Sequence, residues 1–213
     1  MGKVYFISGL GADKRVFSFL DLSFCDPVYI EWIRPLPHES LQQYALRLRE
    51  QIPDPRPVIV GISLGGMLVT EMARADKNIK GIIISSNKIA AEFPRYLRIG
   101  NYLPVYKWMP AALSKRMMLM TKNILGAKGK EQKEVLKQII RDTDISFAKW
   151  AINAILHWKN NDIPSNLVHI HGTADKLLPC RLVKADHIIE GGTHVMTMDH
   201  HREITDILKK LIL

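Results

Sequence analysis

The junction at residues 57–66 limits the possible folds of this chain more than any other stretch. An apolar run, Pro57-Val58-Ile59-Val60, passes into Gly61-Ile62-Ser63-Leu64-Gly65 and on to Met67-Leu68-Val69-Thr70-Glu71-Met72-Ala73, whose pattern suits a helix. A strand that becomes a helix without a loop turns so abruptly that side chains flanking the turn collide. Glycine at 61 and 65 removes them, and Gly66 gives further room. What remains is one exposed serine, Ser63, at the apex.

The rest of the chain repeats the strand-then-helix order. Apolar runs at 4–7, 28–32, 58–62, 79–84, 167–170 and 187–190 read as strands. Helices are expected at 13–20, capped by Asp13, at 40–51 with Leu41, Tyr44, Ala45 and Leu48 on one face, from the junction to about 75, and at 202–211. Strands that are continuous apolar runs and alternate with helices imply an α/β class: a mostly parallel sheet with helices on both faces. Between 88 and 159 no strand pattern occurs, only helix-like segments punctuated by Pro94, Pro104, Pro110, Gly126 and Gly129. A chain of 213 residues suits one core with one insertion, so the core is assigned to 1–87 and 160–213 and a helical insertion to 88–159.

Composition narrows the setting. With 47% apolar and 24% charged residues the chain reads as a soluble globular protein. Its N-terminus reads as a buried strand, without a secretory pattern, and the apolar stretch around Ser63 is too broken for a membrane span, so a cytoplasmic location is expected. Cys25 and Cys180 have no metal spacing and would be reduced there. The formal net charge is +9, and residues 88–149 hold thirteen Lys/Arg against five Asp/Glu. No nucleic-acid motif accompanies that charge. It fits either an anionic substrate or a solvated helical face.

A serine hydroxyl is a weak nucleophile near neutral pH and needs a histidine base oriented by a carboxylate. In parallel sheets such groups gather in loops leaving the carboxyl ends of strands. Two later strands end suitably: His171-Gly172-Thr173-Ala174-Asp175 follows one, and Glu190-Gly191-Gly192-Thr193-His194 the other. The order Ser63, Asp175, His194, with the glycine-flanked serine, resembles the α/β-hydrolase superfamily over essentially the whole chain. That resemblance implies Ser63 as nucleophile, His194 as general base and then acid, and Asp175 as the group holding the imidazole. It also implies an oxyanion hole from the backbone N–H groups of Leu64 and of Leu10 in Ser8-Gly9-Leu10-Gly11. Ser8 stands where the family often has histidine, which keeps the donor and changes the hydrogen bonding within the loop. Asp162 and Asp186 lie at the wrong ends of their strands, while His171, His200 and His201 suit loop-structuring, capping or solvent-facing roles. No metal site, phosphate loop or other cofactor is expected.

The resemblance further implies that the insertion is a cap over Ser63. Aromatic and Met residues there would line an acyl pocket, with Trp108, Met109 and Met117 as candidate contacts and Arg95 and Arg98 as candidate partners of an anionic group. The expected activity is hydrolysis of a carboxylic ester or thioester, on a small molecule that is anionic or carrier-bound if the basic charge serves binding. Lyase or carbon–carbon bond chemistry on the same triad, or ligand binding with little turnover, are the alternatives. The sequence leaves the oligomeric state open.

Overall fold

The computed structural model describes residues 1–94, 106 and 108–213, with the backbone alone at 121–123. Six strands form one sheet in the order β2-β1-β3-β4-β5-β6: β1 Lys3–Ile7, β2 Asp26–Tyr29, β3 Val58–Ile62, β4 Lys80–Ile84, β5 Leu167–Gly172 and β6 His187–Ile189. Every pairing is parallel. The order reverses at β1, from which the chain goes to one edge and then returns to build the other side. Loops at the carboxyl ends of β1 and β3 therefore diverge around a crevice, where parallel sheets bind ligands.

Side chains alternate along each strand, and the two sets feed two cores. Tyr5, Ile7, Ile59 and Ile83 pack against Leu41, Tyr44 and Leu48 of α1 (Leu41–Arg49) and Leu68 and Met72 of α2 (Leu64–Ala75). Val4, Phe6, Val60, Ile62, Ile82 and Ile84 face the opposite layer, where Phe17, Met196, Ile204 and Leu208 close the core. Between β4 and β5 the described helices are α3 Ala111–Leu125, α4 Lys130–Asp142 and α5 Ile145–Leu156. A short turn of helix, α6 (Met196–Asp199), and the closing α7 (His201–Ile212) follow β6.

Several expected elements differ in extent, and β5 runs past its expected end at 170 to include His171 and Gly172. The helix expected at 13–20 is a single 3-10 turn, Lys14–Phe17, although Asp13 caps it by accepting the Arg15 N–H at 3.0 Å. The second strand starts at Asp26 and includes Pro27. Asp26 and Ile30 donate their N–H groups to the Gly2 and Phe6 carbonyls, so Pro27, one residue out of phase, turns its ring nitrogen to the open edge. An edge strand tolerates proline there because no ladder bond is lost.

Candidate active site

Ser63 sits between β3 and α2 with φ 52° and ψ −116°, a left-handed backbone that non-glycine residues seldom adopt. Its N–H donates to the Ile84 carbonyl at 3.0 Å, and its carbonyl accepts from Met67 N–H and the Ser86 hydroxyl. These bonds hold the strained turn. The neighbouring glycines are required by contact: a Cβ on Gly61 would lie 2.4 Å from the Gly65 carbonyl oxygen, and one on Gly65 only 2.3 Å from that of Ile7. The elbow is thus pressed against β1, and that contact brings the Ser8–Ala12 loop beside Ser63.

From Ser63 a hydrogen-bonded line runs inward. His194 Nε2 lies 3.0 Å from Ser63 Oγ, and His194 Nδ1 lies 2.8 Å from Asp175 Oδ2. His194 comes from the loop after β6, Asp175 from the loop after β5, and both are buried. The two loops are tied together by Thr173 N–H to the Ile189 carbonyl and Ala174 N–H to the Gly192 carbonyl. Asp175 Oδ1 accepts from the N–H groups of Leu177 and Leu178, at 2.9 and 2.8 Å. Burial alone would raise the carboxyl's pKa, but His194, the Leu178 N–H and His171 outweigh it and hold the group below the ordinary carboxylate range. Asp175 Oδ2 thus fixes the orientation of the imidazole through Nδ1 and leaves Nε2 facing Ser63 Oγ.

Leu64 opens α2, where helical N–H groups have no partner within the helix. The Ser8–Ala12 loop is closed by two bonds on the Ala12 carbonyl, from the Ser8 hydroxyl at 2.8 Å and Trp32 Nε1 at 2.8 Å. Ser8 therefore supplies an internal bond that holds the loop. Leu10, Leu64, Ser63 and His194 all border one cavity of about 360 Å³.

A model of the alpha/beta hydrolase family matches residues 4–207. The chain belongs to the alpha/beta hydrolase family. No curated protein sequence matches it significantly. Its fold is similar to that of an esterase from Exiguobacterium antarcticum, with TM-score 0.75 and 12% identity over 99% of this chain and 91% of that one. A carboxylesterase structure from the ammonia-oxidizing thaumarchaeon Nitrososphaera gargenis gives TM-score 0.75 and 13% identity, over 99% and 89% of the two chains. An N-acyl homoserine lactone degrading enzyme gives 0.71 and 17%, over 100% and 93%.

In this alpha/beta hydrolase the cavity wall is almost wholly apolar. Phe93, Met118, Leu136, Ile140, Ile152 and Ile155 contribute to it, and none of the described residues lining it is Lys, Arg, Asp or Glu. Trp108, Met109 and Met117, the candidate contacts, do not line this cavity, Trp108 being 89% and Met117 49% exposed. Successive helical residues point about 100° apart, so Met118 faces inward and Met117 does not. Arg95 and Arg98 lie outside the described residues, as does Lys107. Leu136, Ile139 and Ile140 were not singled out from the sequence, although their spacing on α4 marks an apolar face that could have been. Among the described residues no group of three or more His, Cys, Asp or Glu is placed to hold a metal ion, and no helix is long and apolar enough to cross a membrane.

Proposed function

We propose that the protein is a serine hydrolase that cleaves carboxylic esters or thioesters carrying an uncharged, apolar acyl group. The observation that carries this reading is the line from Asp175 through His194 to Ser63, ending at the mouth of an apolar cavity. Ser63 Oγ attacks the acyl carbon while His194 Nε2 takes its proton. The N–H groups of Leu10 and Leu64 stabilise the negative oxygen that develops, which fixed dipoles do at little reorganisation cost. His194 then protonates the leaving alcohol or thiol, and water attacks the acyl-enzyme by the reverse sequence of proton transfers. Membership of a hydrolase family and the likeness to esterases support this reading.

In the same reading residues 88–159 are a cap: α4 and α5 supply Leu136, Ile139, Ile140, Ile152 and Ile155 to the wall opposite the elbow. A wall without Lys or Arg among its described residues argues that any anionic group sits on the leaving group, outside the acyl cavity. A fluorophosphonate should label Ser63, and Ser63→Ala should abolish both labelling and turnover of a neutral ester series, a loss of up to about a millionfold. Turnover of the Ser63→Ala protein at a near wild-type rate would refute the mechanism.

A further inference from the structure

His171 lies beside the proposed triad and has no part in the proton transfers described above. It is fully buried in β5, as is His169 two residues before it, and alternation puts both rings on one face of the strand. His169 Nε2 lies 3.1 Å from His171 Nδ1, and His171 Nε2 lies 2.8 Å from the Leu178 carbonyl oxygen. The same Nε2 is 3.6 Å from Asp175 Oδ2.

A carbonyl oxygen only accepts, so His171 must carry its proton on Nε2. Burial holds the ring below the ordinary histidine range, against the pull of Asp175, so the imidazole is neutral and its Nδ1 is a bare lone pair. Only a donor can meet that lone pair, which assigns the His169 proton to its Nε2. The remaining nitrogen, His169 Nδ1, is the one without a hydrogen-bond partner. Lys88 and the Ser86 backbone are the other polar groups facing His169, and Asp175 and His194 those facing His171.

Leu178 is consequently gripped from both sides. Its carbonyl is held by His171, and its N–H is given to Asp175 Oδ1 at 2.8 Å. Resting on the triad reading, we propose that His171 is a positioning residue that tethers Leu178 to the sheet and so aims Asp175 Oδ2 at His194. A neutral ring does this without competing for the carboxylate's charge, whereas an imidazolium 3.6 Å from Oδ2 would draw it away from His194.

Nitrogen-15 NMR of the full chain with labelled histidine tests the arrangement directly. His171 should be neutral and protonated on Nε2 between about pH 7 and pH 8, its ring being held below the ordinary histidine range. A ring protonated on Nδ1, or one that titrates in that range, overturns the proposal. His171→Leu should lower kcat on a neutral ester by roughly a hundredfold while KM changes little, and should weaken the low-field proton resonance of His194 Nδ1–H. His171→Gln, whose side-chain amide can donate to the Leu178 carbonyl, should restore the resonance and most of kcat. A folded His171→Leu protein with an unaltered resonance, or a Gln variant no better than Leu, overturns it as well. If His171→Leu does not fold, the wild-type tautomer and the Gln variant decide. Failure of the Ser63→Ala test would remove the triad reading alone, since the resonance reports the hold on Asp175 whether or not an ester is turned over.

Discussion

A glycine's missing methyl group is among the most consequential details at the residue scale. Gly65 lies where β1, β3 and α2 meet, and a Cβ there would sit 2.3 Å from the Ile7 carbonyl oxygen and 2.4 Å from that of Ser8. Backbone cannot yield as a flexible side chain does, so Gly65→Ala should push the elbow from β1 at a cost of about 3 kcal/mol. Urea denaturation would measure this, and a midpoint equal to wild type would show that the close approach is not needed. The same displacement would move Leu64 N–H away from Leu10 N–H, so activity should fall further than stability alone explains. Gly61, Gly65 and Ser63 could be read from the sequence because the constraint is local: a tight turn demands absent side chains wherever it occurs.

Helices act here as walls, and their faces divide the work. α4 presents Leu136, Ile139 and Ile140 inward, all nearly inaccessible to solvent, while its intervening Lys and Glu residues keep the outer face wet. Filling the inner face should shorten the acyl chain that the cavity accepts. Leu136→Trp should move the preferred chain length in a p-nitrophenyl ester series toward acetate and leave kcat/KM for the shortest ester within about tenfold of wild type, since a bulky wall residue costs mainly the substrate that it displaces. An unchanged chain-length profile would remove α4 from the acyl site. Amphipathic spacing marks such a face, but which of several apolar faces in the insertion borders the cavity depends on how helices far apart in sequence pack.

For the whole molecule, the buried histidine pair makes stability depend on pH. Burial, then His171 and Lys88, push His169 down to about 2, and His171 is also lowered. In the unfolded chain both would titrate near 6.5. Below that pH the unfolded chain binds protons that the folded one refuses, so stability should fall as pH drops through 6.5, by about 1.4 kcal/mol per pH unit for His169. The lowered Asp175 adds its own loss only as pH falls through the acid range of carboxylates, whereas Glu92, raised by burial, offsets part of the fall by taking up a proton more readily in the folded chain. Urea midpoints from about pH 7.5 to pH 5 should show this slope, and His169→Gln should flatten it. A wild-type midpoint constant over that interval would contradict the neutral buried pair.

Sequence by itself determined the parallel α/β layout, the elbow and the placement of Ser63, Asp175 and His194 after strand ends, because each is written in contiguous residues: apolar period, glycine spacing, or a short motif after a strand. It also suited His171 to a loop-structuring role, without saying what it held. Tertiary structure alone decided that Met118 lines the cavity that Ser63 borders while Met117 and Trp108 do not, and that this cavity's wall carries no Lys, Arg, Asp or Glu among its described residues. It alone joined His169, His171, Leu178 and Asp175 into one hydrogen-bonded support. Those outcomes depend on which side of a helix meets which loop and on distances between segments remote in the chain, and no local pattern encodes either.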